Sequence, residues 1–200
     1  MYRTVFSRIR LRAIAAVFLS TALGLAPDVS DASETRRTVA LVAGQMTSNG
    51  IDEVFLPGKT DFINAGFAGV ALGWEAQLDN PRWRAGIELQ VNQHFGKNDH
   101  QEIVAPLTIR YSPDRPWPRA IDSFAFGLGL SHATSTPNTE IARRGNSQRT
   151  LVYFSLETAF AVGDRDSTLF LRLHHRSDAY GLMATDSGSN AFALGFRKSF

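Results

Sequence analysis

The last eleven residues, "NAFALGFRKSF" (Asn190–Phe200), decide the fold. Large apolar side chains alternate with other residues at Phe192, Leu194 and Phe196, and the final residue is again aromatic. This alternation predicts a β-strand with one apolar face. In a membrane barrel the last strand pairs with the first, because hydrocarbon cannot satisfy an open backbone edge. The ending therefore favours a closed barrel over an amphipathic strand at the end of a soluble domain.

Eight segments of the chain show this period-two alternation, and none shows helical heptads. Transmembrane strands need about 9–11 residues, whereas strands of globular proteins average about five or six. We therefore predict an all-β fold, an eight-stranded antiparallel transmembrane β-barrel of the outer-membrane type; the alternative is a soluble exported β-protein. The predicted strands span about residues 38–47, 64–76, 82–95, 101–111, 121–132, 149–161, 167–177 and 189–200.

The N-terminal segment, residues 1–32, is predicted to be a secretory signal peptide. Residues 1–12 carry four arginines and no acidic residue, and an apolar run follows over residues 13–26. This run is too short for a helical membrane anchor, which needs about 20 residues. Without the segment the formal net charge falls from +2 to 0, so the charge predicts no nucleic-acid partner. The barrel is expected to occupy residues 33–200.

The connections between the predicted strands indicate how the barrel crosses the membrane. If both ends of the barrel lie in the periplasm, odd-numbered strands run outward and even-numbered strands return. Outer-membrane barrels favour short periplasmic turns and longer extracellular loops. The expected turns are 77–81, 112–120 and 162–166, the expected long loops are 48–63, 133–148 and 178–188, and the outer loop 96–100 is short. The chain has no cysteine, which suits a bacterial envelope protein.

The candidate site lies in the seventh predicted strand, in the stretch "TLFLRLHHRSDAYG" (Thr168–Gly181). Its apolar alternation continues past Leu173 into His175 and Ser177, so both should face lipid near the outer leaflet. Residues two apart on one face are roughly 6.5 to 7 Å apart, close enough for imidazole and hydroxyl to lean together. A serine hydrolase needs this pair, because the histidine takes the hydroxyl proton during attack and returns it to the leaving group.

The stretch "RLHHRSDAYG", followed by a short loop, "GSN" and the aromatic last strand, resembles the lipid A 3-O-deacylase (PagL) family of acyloxyacyl hydrolase-like outer-membrane proteins. The specific resemblance runs from Arg172 to Phe200, and the eight-strand organisation supports it elsewhere. It implies an outer-membrane esterase that removes the 3-position acyl chain from the lipid A of lipopolysaccharide. His175 would be the general base and Ser177 the nucleophile. The resemblance implies no cofactor and no metal, and it is compatible with a homodimer.

The sequence departs from the family pattern at two points. Asp178 follows the serine where the family has asparagine, and the oxyanion hole would be formed at this residue and at Gly181, a candidate backbone donor. The family's glutamate on the last strand is missing, since no glutamate follows Glu157. Asn190 faces the same side as the histidine and can orient the imidazole through its amide oxygen. Asp186 is the alternative third member, with a charge but a position in the loop, and the third alternative is a site with no effective third member.

Two functional classes stay open. Polar residues are common at the rim of a barrel, so His175 and Ser177 can also be rim residues without a catalytic role. The chain would then be a non-enzymatic outer-membrane barrel that stabilises the envelope or binds a ligand through its outer loops.

The sequence contains four other histidines and several basic residues near the predicted outer rim. The histidines lack metal-ligand spacing and are predicted to be structural, with His174 lining the lumen. Arginines near the outer rim are candidates for contact with lipid A phosphates, although a solvated loop explains most of them equally well. The histidines are His94, His100, His132 and His174, and the arginines are Arg143, Arg144, Arg149 and Arg176.

Overall fold

The computed structural model of the 200-residue chain describes residues 35–56, 58–115, 120–163, 166–183 and 186–200. The predicted signal peptide lies outside these residues. In the part of the chain that the structure describes, no helix is long and apolar enough to cross a bilayer.

Eight antiparallel strands form a closed barrel in which each strand pairs with the next along the chain. They are β1 (Thr35–Thr47), β2 (Phe62–Gln77), β3 (Trp83–Gly96), β4 (Gln101–Tyr111), β5 (Ile121–Ala133), β6 (Thr150–Ala161), β7 (Ser167–Ser177) and β8 (Gly188–Ser199). β8 pairs with β1, from Thr38 opposite Ser199 to Thr47 opposite Asn190, and so closes the barrel. The predicted fold class is confirmed, and every strand begins and ends within three residues of its expected bounds.

The two faces of the barrel wall differ as the alternation predicts. Outward side chains are large, apolar and exposed; Leu41 is 63% exposed and Leu107 is 56% exposed. Inward side chains are polar or small, and many are fully buried, such as Gln90 and Ser131. An apolar outer face around a polar interior is the arrangement that hydrocarbon surroundings require of a closed barrel.

Ion pairs fill the lumen. Glu157, buried on β6, accepts hydrogen bonds from Arg110 at 2.9 Å, from Arg172 at 2.6 Å and from Arg197 at 2.6 Å. Arg172 also donates to Glu88 at 2.6 Å. A buried charge is tolerated only when it is paired and hydrogen-bonded. These bonds therefore tie together strands that are far apart in sequence.

The connections β1–β2, β3–β4, β5–β6 and β7–β8 lie at one end of the barrel, which we call the loop end. There the structure adds an element that the sequence did not predict. A short helix, α1 (Asn138–Arg144), lies within the 133–148 connection, which was expected to be a loop. Pro137 precedes the helix and Gly145, with φ of 78°, ends it in the left-handed conformation that favours glycine.

The helix α1 is anchored to the loop end of the lumen by a buried carboxylate. Glu140 accepts a hydrogen bond from Arg176 Nε at 3.0 Å and another from Ser189 Oγ at 2.7 Å. The β3–β4 connection adds two hydrogen bonds to the helix. Asn98 donates to Thr139 Oγ1 at 3.0 Å and accepts from the Thr139 N–H at 3.1 Å. The helix therefore sits against the strand ends β7 and β8, which carry the candidate site.

Candidate functional site

His175 and Ser177 lie on the outer face of β7, near the loop end. On this strand Leu171 is 53% exposed on the outside, whereas Arg172 and His174 are buried in the lumen. Side chains alternate across a strand, so His175 and Ser177 continue the outer face of Leu171. The alternation in the sequence indicates the same placement.

The His175 side chain is almost inaccessible, with only 6% of the residue exposed. Phe154 of β6 lies opposite it in the register, and the two ring centroids are 4.4 Å apart. Asn190 of β8 lies opposite it on the other side. An imidazole held between two neighbours keeps one orientation, which proton transfer requires.

Asn190 determines which nitrogen of His175 carries the proton. Its Nδ2 donates to the backbone oxygen of Asn49 at 2.8 Å, which leaves its Oδ1 facing His175 Nδ1 at 2.5 Å. An amide oxygen only accepts hydrogen bonds, so Nδ1 donates the proton and Nε2 keeps its lone pair. This is the tautomer of a general base.

Asp186, the alternative third member, is exposed, and no hydrogen bond joins it to His175 among the contacts of the described residues. Of the two candidates, the structure therefore brings only Asn190 against the imidazole.

Ser177 is half-buried at the end of β7. Its Oγ accepts a hydrogen bond from the Ala179 N–H at 3.0 Å, and among the described residues no hydrogen bond joins it to His175. Its register partner on β8 is Gly188, which places no side chain on that side, and its partner on β6 is Val152. A rotation about the serine χ1 changes the direction of Oγ, and catalytic hydrogen bonds commonly tighten only when substrate is bound.

The backbone N–H groups predicted for the oxyanion hole have partners within the chain. The Gly181 N–H donates to the Asp178 carboxylate at 2.7 Å, and the Asp178 N–H donates to the Ser187 oxygen at 2.9 Å. For the predicted oxyanion hole to form, the Gly181 N–H must break its hydrogen bond to the Asp178 carboxylate and donate to the substrate oxygen instead.

The turn that follows Ser177 has an unusual backbone. Ala179, Tyr180 and Gly181 have φ of 51°, 59° and 87°, and the first two are the non-glycine residues with positive φ in the described chain. Such a conformation costs about 1–3 kcal/mol per non-glycine residue, and it is concentrated at functional sites. Alternation patterns in a sequence give no sign of this turn, because they report only strands.

Arg143 of α1 joins two backbone segments beside Asn190. Its Nη1 donates to the Asn49 oxygen at 2.7 Å and its Nη2 donates to the Gly188 oxygen. The Asn49 oxygen therefore accepts from both Arg143 and Asn190. Asn49 has no signal in the sequence, because it lies in a loop and contributes through its backbone oxygen.

The other basic residues considered for phosphate contact lie in different surroundings. Arg176 is 2% exposed and bonds in the lumen, as its position in the alternation predicts. Arg149 donates to the Ala133 oxygen at 3.1 Å, and Arg144 is exposed.

A cavity of about 230 Å³ opens at the loop end beside α1, lined by Thr47, Lys97, Arg143, Ser189 and their neighbours. His175 and Ser177 do not line it. An ester that reacts at Ser177 must therefore approach along the outer wall.

The lumen-facing histidines form a cluster that the sequence did not reveal. His94 Nε2 and His174 Nε2 lie 3.0 and 3.2 Å from the Glu102 carboxylate, and the His100 ring stacks on His94 with centroids 4.3 Å apart. Strand register brings these residues together although they are distant in sequence. Among the described residues, no group of three or more histidine, cysteine or acidic side chains has the geometry to hold a metal ion.

Comparisons with known proteins support the fold. No family model matches the sequence, and no curated protein matches it. The crystal structure of the outer membrane enzyme PagL matches with a TM-score of 0.55 and 11% identity, over 80% of this chain and 98% of that chain. Neisserial surface protein A matches with a TM-score of 0.47 and 11% identity, over 85% of this chain and 100% of that chain. At this identity the PagL match supports an eight-stranded barrel of the outer-membrane type and nothing about activity.

Proposed function

We propose that the protein is an outer-membrane serine esterase that removes the 3-O-linked acyl chain of lipid A. One observation supports it above all. Asn190 holds His175 in the tautomer whose Nε2 is unprotonated, on the same outer face as Ser177 and near the loop end of an apolar barrel wall. This is the side from which a lipid ester in the outer leaflet would approach.

The reaction follows from the roles of the two side chains. Ser177 Oγ attacks the ester carbonyl while His175 Nε2 takes the hydroxyl proton. The tetrahedral intermediate collapses as the imidazolium returns the proton to the departing sugar oxygen, which leaves an acyl-serine. Water, deprotonated by the same nitrogen, then attacks the acyl-serine carbonyl, and the bond to Ser177 Oγ breaks as the imidazolium returns the proton to that oxygen and the fatty acid leaves. Asn190 holds the imidazole in the required tautomer but, unlike a carboxylate, adds no charge to stabilise the imidazolium.

The outer wall provides a surface for the acyl chain. Leu171 and Leu194 lie side by side on β7 and β8, and both are more than half exposed. They continue the face of the catalytic pair away from the loop end. A bound acyl chain would lie along them while its ester reaches Ser177. Lipid A itself, as distinct from another outer-leaflet ester, rests on the resemblance of the "RLHHRSDAYG" stretch.

A second candidate function is a non-enzymatic outer-membrane barrel. Two observations favour it: Ser177 Oγ has the Ala179 N–H as its partner, and the Asp178 carboxylate occupies the Gly181 N–H. In both candidate functions residues 1–32 would direct export, and cell fractionation should recover the barrel in the outer membrane.

Replacement of the proposed nucleophile separates the two functions. We expect Ser177→Ala to abolish release of a hydroxy fatty acid from lipid A while the barrel still assembles, because a methyl group cannot attack the ester. Mass spectrometry of lipid A, from cells with and without each variant, measures the loss of one 3-linked chain. Ser167→Ala, at the opposite end of β7, is the matched control and should retain activity. Unchanged release by the Ser177 variant would rule out this enzyme.

The orienting residue is tested by a second pair of variants. Asn190→Ala should lower kcat about 100-fold, since the imidazole loses the contact that sets its tautomer. Asp186→Ala should leave kcat unchanged, because the exposed Asp186 makes no hydrogen bond to His175 among the described residues. Equal activity of both variants and the wild type would contradict the proposed role of Asn190.

A further inference from the structure

We infer that Arg143 of α1 is a positioning residue for the His175–Asn190 pair, acting through the backbone oxygen of Asn49. The inference rests on the proposed esterase function. It extends that function to Arg143, a residue outside the barrel wall on which the proposed base, His175, depends.

The guanidinium of Arg143 bridges the two backbone segments that flank the Asn190 side chain. Nη1 donates to the Asn49 oxygen at 2.7 Å, just beyond the end of β1, and Nη2 donates to the Gly188 oxygen at the start of β8. Gly188 lies two residues before Asn190 on the same face of β8. This side chain therefore links the Asn49 oxygen to the strand that carries Asn190, just beyond the last β1–β8 register pair, Thr47 opposite Asn190.

The Asn49 oxygen in turn decides which way the Asn190 amide faces. It accepts from Asn190 Nδ2 at 2.8 Å, and this bond leaves Oδ1 for His175. If the Asn49 oxygen moved away, the amide could rotate and present its NH₂ group to His175 Nδ1. That nitrogen would then have to accept, the proton would move to Nε2, and the base would be lost.

The loop around Asn49 is arranged to present this oxygen. The Asn49 side chain donates to the Lys59 oxygen at 2.7 Å and accepts from the Asp61 N–H at 2.7 Å. These bonds fix the side chain within its own loop, whereas the backbone oxygen points at the two donors from α1 and β8. Glu140 and Asp186 act on Arg143 through their charge, and its guanidinium donates hydrogen bonds to these two carbonyl oxygens. A charged donor makes a stronger bond than a neutral one.

A purely structural role for Arg143 predicts a different outcome. The helix α1 is also held by Glu140, through Arg176 and Ser189, and by Asn98. If Arg143 only fastened the helix, its loss would lower stability without changing the His175 tautomer. The tautomer is therefore the measurement that separates positioning from fastening.

The experiment compares Arg143→Ala with Arg144→Ala in the full-length barrel purified in detergent micelles. Both changes remove an arginine from the last turn of α1, but Arg144 is exposed. Histidine ring ¹⁵N chemical shifts, assigned to His175 with a His175→Gln sample, report its tautomer. Ester turnover on lipid A in mixed micelles gives kcat and KM. A third variant, Arg143→Lys, retains the stem and one donor, and keeps the test valid should the alanine variant fail to assemble.

We expect the wild type and Arg144→Ala to hold His175 with the proton on Nδ1. Arg143→Ala should show a mixture of tautomers and a kcat lowered about 10- to 100-fold at unchanged KM, and Arg143→Lys should restore part of both. A wild-type tautomer and kcat in both Arg143 variants would overturn the inference. If the wild type releases no fatty acid, the proposed function fails, and the ¹⁵N shifts alone still decide whether Arg143 positions the pair.

Discussion

His174 and His175 are neighbours in the chain but face opposite sides of the barrel wall. His174 faces the lumen, where its Nε2 lies 3.2 Å from the buried carboxylate of Glu102. His175 faces outward, where its Nδ1 meets the neutral amide of Asn190. The first imidazole belongs to a charge network that also includes Arg176, whereas the second is held by a neutral amide.

Both residues are histidines, so the side of the barrel wall that each one faces, and not its residue type, determines its partner and therefore its role. The Glu102 carboxylate already accepts hydrogen bonds from Arg176, Asn92 and Ser131, and it uses an imidazole as one more structural donor. An imidazole held by one neutral acceptor keeps its second nitrogen available for proton transfer.

Exchanging each histidine for glutamine should separate activity from stability. His175→Gln should lower ester turnover about 10³-fold or more, because it removes the proposed base. His174→Gln should leave turnover within about 2-fold of the wild type but destabilise the barrel by about 1 kcal/mol, as Glu102 loses a partner. Lipid A deacylation and urea unfolding followed by electrophoretic mobility measure the two effects. Equal loss of turnover in both variants would contradict the comparison.

The ion pairs around Glu157 in the lumen are expected to stabilise the barrel without contributing to catalysis. Glu157→Gln should destabilise the barrel by roughly 3–5 kcal/mol, because three buried arginines lose their shared carboxylate. The measurement is the urea midpoint, and turnover of the folded fraction should be unchanged. Asp114→Asn is the control, since its pair with Arg82 is exposed to solvent and should add little. A Glu157 variant as stable as this control would show that the network is dispensable.

The smallest effect is expected from the titration of His100, in the β3–β4 connection at the loop end, which should make the stability of the barrel depend on pH. Burial and the neighbouring His94 lower the pKa of His100 to about 4, below the usual 6.5. The neutral form is therefore favoured in the fold, and its stability contribution is complete above about pH 6.5 and declines as the pH falls toward 4. Urea midpoints at pH 7, 5.5 and 4 should fall less steeply for His100→Gln than for the wild type. Parallel slopes would show that His100 does not cause the decline.

Strand number, strand bounds and the lipid-facing side of His175 could all be predicted from the sequence. Each depends on alternation with a period of two, which a strand imposes on its own residues. The helix α1 was missed because its signals, Pro137 before it and Gly145 after it, are equally typical of a loop. The roles of Asn49 and Glu102 could not be predicted, because each depends on partners that are brought near by strand pairing or loop packing.

The sequence by itself determined that the chain forms an eight-stranded barrel with an apolar exterior, because alternation is a local property of each strand. It also marked His175, Ser177 and Asn190 as residues of one outer face. Only the tertiary structure decided that Asn190 and not Asp186 contacts His175, and that the Asn49 oxygen turns the amide toward it. Such contacts depend on register and loop packing, which arise when the barrel closes and α1 packs on its loop end.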